Sequence, residues 1–169
     1  MIIWNVNSGE AIKRIRHSNF VHCVQFSPDN QFILSSSNDK TITLYDVQSK
    51  KVFKKFKGYS DHISCARFSP NGRFVVASLE DKTIRILDIN SGKELKTLEG
   101  HSHFAKDVKY FSGASIVSCS NDGTICLWDA KSGDELQEFT IPKFICVDIS
   151  PDGSKIALGC SDNTIQIWG

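Results

Sequence analysis

Apolar positions along this chain fall in short, β-prone bursts separated by polar turn residues, and never at helical spacing. After residue 17, Val21, Val24 and Phe26 lead into a Ser27-Pro28-Asp29-Asn30 turn. Phe32-Ile33-Leu34-Ser35 follows, then residues 41–45, then 52–56. Alternating or continuous β-branched and aromatic residues, bounded by Pro, Asn, Asp and Gly, signal strands and hairpins: branched side chains suit a pleated surface, and turn residues reach the backbone angles that reverse it. The pattern predicts an all-β chain built from units of four short strands.

The units repeat. An Asp-x-Thr pattern recurs at Asp39-Lys40-Thr41, Asp81-Lys82-Thr83, Asp122-Gly123-Thr124 and Asp162-Asn163-Thr164, with steps of 42, 41 and 40 residues. Four residues after each Thr stands a large side chain: Tyr45, Leu87, Trp128 and Trp168. Ser-Pro turns keep the same beat at residues 27–30, 69–72 and 150–153, degraded in the third copy to Phe111-Ser112-Gly113. Ser-Gly pairs at 8–9, 91–92 and 132–133 suit tight loops that need a positive φ. Such small antiparallel sheets cannot bury both faces alone, whereas stacking them radially buries each against the next. The repeat therefore predicts a β-propeller of about four blades, each a four-stranded antiparallel sheet. The expected units are a partial blade over 1–16, repeats over 17–57, 58–99 and 100–139, and a last blade over 140–169.

Strand counting predicts seventeen strands, with residues 2–6 and 10–16 matching the third and fourth strands of a blade. The strand at 10–16 has two expected fates. It either joins the sheet ending at Trp168 and closes a four-bladed ring, or belongs to an incomplete ring that is the C-terminal part of a larger propeller. The second is preferred, because the chain begins mid-blade. Open blade edges would then favour self-association.

Charge and chemistry narrow the function. Twenty Lys and Arg against nineteen Asp and Glu leave a net charge of +1, too little to draw nucleic acid or an anionic membrane. Six cysteines (Cys23, Cys65, Cys119, Cys126, Cys146 and Cys160) form no Cys-x-x-Cys pair and lie in apolar β-prone segments. They read as structural small hydrophobes in a reducing compartment, the cytoplasm with the nucleus left open. No metal or nucleotide motif is present, and no cofactor is expected.

These phased copies resemble the WD-repeat family over essentially the whole chain, with a Gly-His opening at Gly100-His101 and a Trp-Asp ending at Trp128-Asp129. The resemblance implies a buried tetrad linking the opening His, a second-strand Ser or Thr, the turn Asp and the Trp. In the third unit these are His101, Ser118, Asp122 and Trp128. The first offers His17, Ser35, Asp39 and, in place of Trp, Tyr45. The second has Tyr59, Ala77 and Leu87 around Asp81, and the fourth Thr140 and Leu158 beside Asp162 and Trp168. His101, Ser118 and Asp122 supply the residue types of a hydrolase triad, yet phased copies favour a structural role over an enzyme.

In such propellers the loops between blades and between second and third strands share one face. Three residues after the opening His come Phe20, His62, Phe104 and Lys143; two further on come His22, Ser64, Lys106 and Ile145; ahead of the turn Asp sit Asn38, Glu80, Asn121 and Ser161. Phe20 and Phe104, flanked by His and Lys, would suit a hot spot with a polar rim. The implied function is a non-catalytic protein-interaction scaffold whose partners are proteins or peptides. The alternative is a ligand-sensing or regulatory segment of a larger multidomain protein.

Overall fold

The computed structural model describes residues 1–111, 114–141, 144–160 and 162–169, with the backbone alone of residues 144 and 145. The described residues form seventeen strands and no helix. A two-stranded sheet pairs β1 (Ile2–Trp4) with β2 (Ala11–Arg14). Three four-stranded sheets follow in sequence order. They are β3 (Val21–Phe26) to β6 (Lys51–Phe56), β7 (Ile63–Phe68) to β10 (Glu94–Leu98), and β11 (Ala105–Tyr110) to β14 (Glu135–Thr140). The last sheet has three strands, β15 (Phe144–Ile149), β16 (Ile156–Cys160) and β17 (Ile165–Trp168). Every pairing is antiparallel between chain neighbours, as hairpin connections dictate.

Burial follows strand position. The second strands, β4 (Phe32–Ser37), β8 (Phe74–Leu79) and β12 (Ser115–Ser120), are almost entirely buried, whereas β14 is mostly exposed. Middle strands are covered on both faces because sheets stack against sheets. Leu34, Ile42 and Leu44 of the first four-stranded sheet share one apolar cluster with Ile63, Val75 and Leu79 of the second. Val76, Ile84 and Leu98 of the second meet Val108, Ile116 and Trp128 of the third. Val117 and Ile125 of the third meet Val147 and Leu158 of the last. Each fully buried aliphatic side chain contributes about 1.5–3 kcal/mol, so the stacking between sheets, rather than any single sheet, holds the fold.

The strand at 10–16 does not complete the last sheet. Its core, β2, pairs with β1, and Ile15 and Ile3 pack with Ile33 and Tyr45 on the first four-stranded sheet. The two-stranded sheet thus occupies the place of a preceding blade, and the described sheets do not close a ring. β17 is the outermost strand of its sheet, with Ile165 and Ile167 at 77% and 69% exposure. Among the described residues no helix is long and apolar enough to cross a membrane.

The Asp turns use left-handed backbone. The residue after the turn Asp has positive φ in all four units: Lys40 (62°), Lys82 (76°), Gly123 (86°) and Asn163 (68°). Two of these are lysines, which adopt this region at a cost that glycine avoids.

A candidate interaction face and the turns beneath it

The first pair of strands in each of the four larger sheets slips register at one place: between Val21 and Cys23, Ile63 and Cys65, Ala105 and Asp107, and Phe144 and Cys146. The extra residue in each bulge is His22, Ser64, Lys106 or Ile145. A bulge bends the strand and re-aims a side chain, so these positions are turned by the backbone and not by chance packing. Just before each bulge, the carbonyl of Phe20, His62 or Phe104 accepts a hydrogen bond from the amide of Asn38, Glu80 or Asn121, at 2.9, 3.0 and 3.0 Å. Residues from the column three after the opening His and from the column ahead of the turn Asp are thereby brought together in three units. Lys143 and Ser161, their counterparts in the fourth, lie outside the described residues, as does the side chain of Ile145.

Side chains complete the contacts differently in each unit. His22 Nε2 lies 2.6 Å from Asn38 Oδ1, whereas His62 Nδ1 lies 3.1 Å from Glu80 Oε2. Phe20 is 76% exposed. Phe104 is 39% exposed and packs edge-on against His103, with ring centroids 4.6 Å apart. Ser64 and Lys106 are half-buried and Asn121 is exposed.

Beneath this face lie the turn aspartates. In the third unit Trp128 Nε1 donates to Ser118 Oγ at 2.8 Å, His101 Nε2 lies 2.7 Å from the same Oγ, and His101 Nδ1 lies 3.3 Å from Asp122 Oδ2. An indole N–H can only donate and an ionised carboxylate can only accept, so the ends fix the direction of the chain. Trp128 donates to Ser118, the Ser118 hydroxyl to Nε2, the Nδ1 proton to Thr124 Oγ1 at 3.0 Å, and the Thr124 hydroxyl to Asp122. Asp122 also accepts from the Ser102 amide at 2.8 Å and from the Thr124 amide and hydroxyl at 2.8 and 2.6 Å. Burial pushes the Asp122 carboxyl up, but these donors outweigh it and hold it at about 2, below its ordinary 3.8. Burial lowers His101 below its ordinary 6.5 against the pull of Asp122, so the ring is neutral. Ser118 is fully buried and its oxygen is already occupied by the indole, which leaves no nucleophile open to solvent in this trio.

The first unit reproduces three members of the constellation. His17 Nδ1 lies 3.0 Å from Asp39 Oδ2, and Nε2 lies 2.8 Å from Ser35 Oγ. Burial again opposes and the Thr41 hydroxyl, Ser18 amide and His17 again prevail, holding Asp39 at about 2. Tyr45 does not join them: its buried hydroxyl has no partner among the described residues. An indole carries its N–H on the flank of the ring, whereas a phenol carries its oxygen at the tip, beyond the serine.

In the second unit a residue that the spacing does not single out takes over. Arg85 Nη2 bridges Asp81 Oδ2 at 3.1 Å, and Nη1 bridges Glu94 Oε1 at 2.9 Å and Thr97 Oγ1 at 2.7 Å. Ala77 and Leu87, standing where the Ser and Trp would be, are buried in the apolar cluster. The signal was present as an Arg two residues beyond the Thr of a unit that lacks the His. In the fourth unit Asp162 Oδ1 accepts from the Thr164 amide and hydroxyl at 3.1 and 2.6 Å, Leu158 is buried, and Trp168 packs edge-on against Phe139.

Among the described residues, two groups place metal-ligand atoms within 4.8 Å of one another: Asp61, His62 and Glu80, and Cys126, Glu135 and Glu138. His62 Nδ1 is already engaged by Glu80, and Asp61 Oδ1 by the His62 amide. Burial pushes the Cys126 thiol up to about 12, so it offers a protonated sulfur.

Radially stacked four-stranded sheets, phased Asp turns and the His-Ser-Asp-Trp network define a WD-repeat propeller protein. The chain matches the family described as "WD domain, G-beta repeat" over residues 9–46, 50–88, 92–129 and 133–169, and it belongs to that family. Its similarity to individual proteins is local. It is 40% identical over 53 residues to "Protein groucho" of Drosophila melanogaster, 37% over 60 to "WD repeat-containing protein 70" of Xenopus laevis, and 46% over 46 to "Apoptotic protease-activating factor 1" of Danio rerio. These matches cover 30%, 31% and 27% of this chain, and 7%, 10% and 4% of the respective relatives. Each family match runs from the outer strand of one sheet through the first three strands of the next, so the repeat in sequence is offset from the sheet in space.

Proposed function

We propose that the chain is a non-catalytic interaction scaffold that presents its bulge-and-turn face to another protein or peptide. The observation that carries this reading is Phe20, a large apolar side chain left 76% exposed while its carbonyl is pinned by the Asn38 amide. A fixed backbone under an exposed aromatic ring loses little conformational freedom on binding, which is the usual character of an interface anchor. His22, Asn38, His62, Ser64, Glu80, Lys106 and Asn121 supply a mixed polar rim, and Lys143 and Ser161 extend it by their positions in the repeat. The hydrogen-bonded turns below serve as its support.

Peptides selected from a displayed random library against the wild-type chain test this. Phe20→Ala should weaken the selected peptides by roughly 10- to 30-fold, as expected for an anchor worth about 1.4–2 kcal/mol, without changing the melting temperature. Leu136→Ala, at an exposed position on the outer strand β14, should leave them unaffected. Selected peptides that bind the Phe20 variant as tightly as the wild type would overturn the reading.

The outer edge of β17, with Ile165 and Ile167 exposed, is proposed as a self-association edge. Sedimentation over a wide concentration range checks it. A species that stays monomeric throughout removes self-association from the proposal and leaves the face untouched.

A further inference from the structure

The bulges that turn His22 and Ser64 also fix the residue that follows. In β3 and β7 that residue is a cysteine, and the two sit in neighbouring sheets, 42 positions apart in sequence. Their sulfurs lie 3.0 Å apart, roughly 1 Å beyond the length of a disulfide bond. Both residues are buried, with Cys23 at 7% and Cys65 at 4% exposure. The Cys65 thiol donates to the Cys23 sulfur and draws the Cys23 pKa down from its ordinary 9.0; burial opposes this, and the charge of Arg67 reinforces it. Arg67 itself has a buried Nε with no hydrogen-bond partner among the described residues. Asp107, at the equivalent position of β11, acts against both thiols. Two other buried thiols differ, since burial pushes Cys119 and Cys126 up to about 12 and keeps them protonated and inert.

We propose that Cys23 and Cys65 form a redox modification site that closes to a disulfide between two sheets, with a hydroperoxide as oxidant. The Cys23 thiolate attacks one oxygen of the peroxide. An S–O bond forms, the O–O bond breaks, and the leaving hydroxide takes a proton to become water. The Cys65 sulfur then attacks the Cys23 sulfenic acid, forming the S–S bond and expelling the hydroxyl, which leaves as water with the Cys65 proton. Two thiols are oxidised by two electrons, and one hydrogen peroxide is reduced to two waters. The bond ties the first strands of adjacent sheets directly below His22 and Ser64. The proposal is independent of the interaction reading, because it concerns residues beneath the face.

Cys146 is the internal competitor, because it is exposed whereas the pair is buried. The test treats the folded chain with hydrogen peroxide, alkylates the remaining thiols, digests with trypsin and maps the peptides by mass. The tryptic peptide over 17–40 contains Cys23 as its sole cysteine, and that over 58–67 contains Cys65 as its sole cysteine. These two should appear cross-linked, reversibly by dithiothreitol, with two of the six thiols lost. Cys65→Ser should strand Cys23 as a sulfenic acid that dimedone traps, and Cys146→Ser should leave the cross-link intact. Oxidation confined to Cys146, or a 23–65 cross-link that forms only after unfolding in urea, would overturn the proposal. The wild-type peptide map alone is decisive if the serine variants do not fold.

Discussion

The second and third units set the same turn in two kinds of chemistry. In the third, Asp122 is held by a relay from an indole through a serine, a neutral imidazole and a threonine hydroxyl. In the second, Asp81 is held by Arg85, which also grips Glu94. The strands on either side superpose in register and the turn backbone is alike, with positive φ at Lys82 and at Gly123. A blade therefore needs its turn carboxylate satisfied, but not by any one partner. What differs is the response to the solvent: the relay contains an imidazole whose pKa burial lowers, and the ion network contains none.

The largest expected contrast comes from removing the carboxylates. Asp122→Ala leaves the Ser102 amide and the Thr124 amide and hydroxyl without their acceptor, and frees the Thr124 hydroxyl that His101 Nδ1 faces. It should cost about 2–3 kcal/mol in denaturant unfolding, since an orphaned buried donor costs about 1–3 kcal/mol. Asp81→Ala also orphans the Thr83 amide, but Arg85 keeps Glu94 and Thr97 and the Ser60 hydroxyl is exposed, so it should cost less. Equal losses would mean that the relay confers no special rigidity on the third unit.

Acid should separate the two next. His101 has a folded pKa below its unfolded 6.5, so below 6.5 the unfolded chain binds the extra proton and stability falls as the pH drops. Asp39 and Asp122, held at about 2 against an unfolded 3.8, add stability that is complete above 3.8 and lost as the pH falls from there towards 2. Melting temperatures should decline in two stages, and His101→Gln should flatten the stage between pH 7 and 5 while keeping the acidic one. A wild-type melting profile level from pH 7 to 5 would contradict the neutral-imidazole relay.

Salt acts on the other unit. Arg85→Met should cost about 1 kcal/mol at low ionic strength, and 1 M sodium chloride should shrink that difference, as screening weakens partly exposed ion pairs. A cost that does not change with salt would show that Arg85 acts through packing. The smallest change is Lys82→Gly, which relieves a lysine at φ 76° and should stabilise by about 0.5–1 kcal/mol, read as a small rise in melting temperature.

Much of this was legible because hydrophobic period and turn residues act locally. Strands expected at 41–45 and 52–56 appear as β5 (Thr41–Asp46) and β6, and Gly9, Gly92 and Gly133 of the Ser-Gly pairs all have positive φ. Long-range choices were less legible. The pairing of β2 with β1 depends on which edge lies near in space, which a strand pattern shared by both alternatives cannot decide. Arg85 escaped notice because a long side chain reaches whatever acceptor the fold leaves nearby, and spacing does not encode reach. Tyr45 fits the Trp position by size, yet its hydroxyl misses the network, since volume is legible in a sequence and the direction of a polar atom is not. Cys146, in an apolar strand pattern like the others, is exposed, since pattern alone does not say which face of the last sheet is covered.

The offset between repeat and sheet has a consequence for how such a chain can change length. Each copy of the motif lends its leading strand to the neighbour before it, so consecutive copies overlap like roof tiles instead of meeting like bricks. Duplicating a whole copy inserts one complete sheet and recreates the same two junctions on either side. An array built this way grows or shrinks by recombination without having to invent a new contact surface.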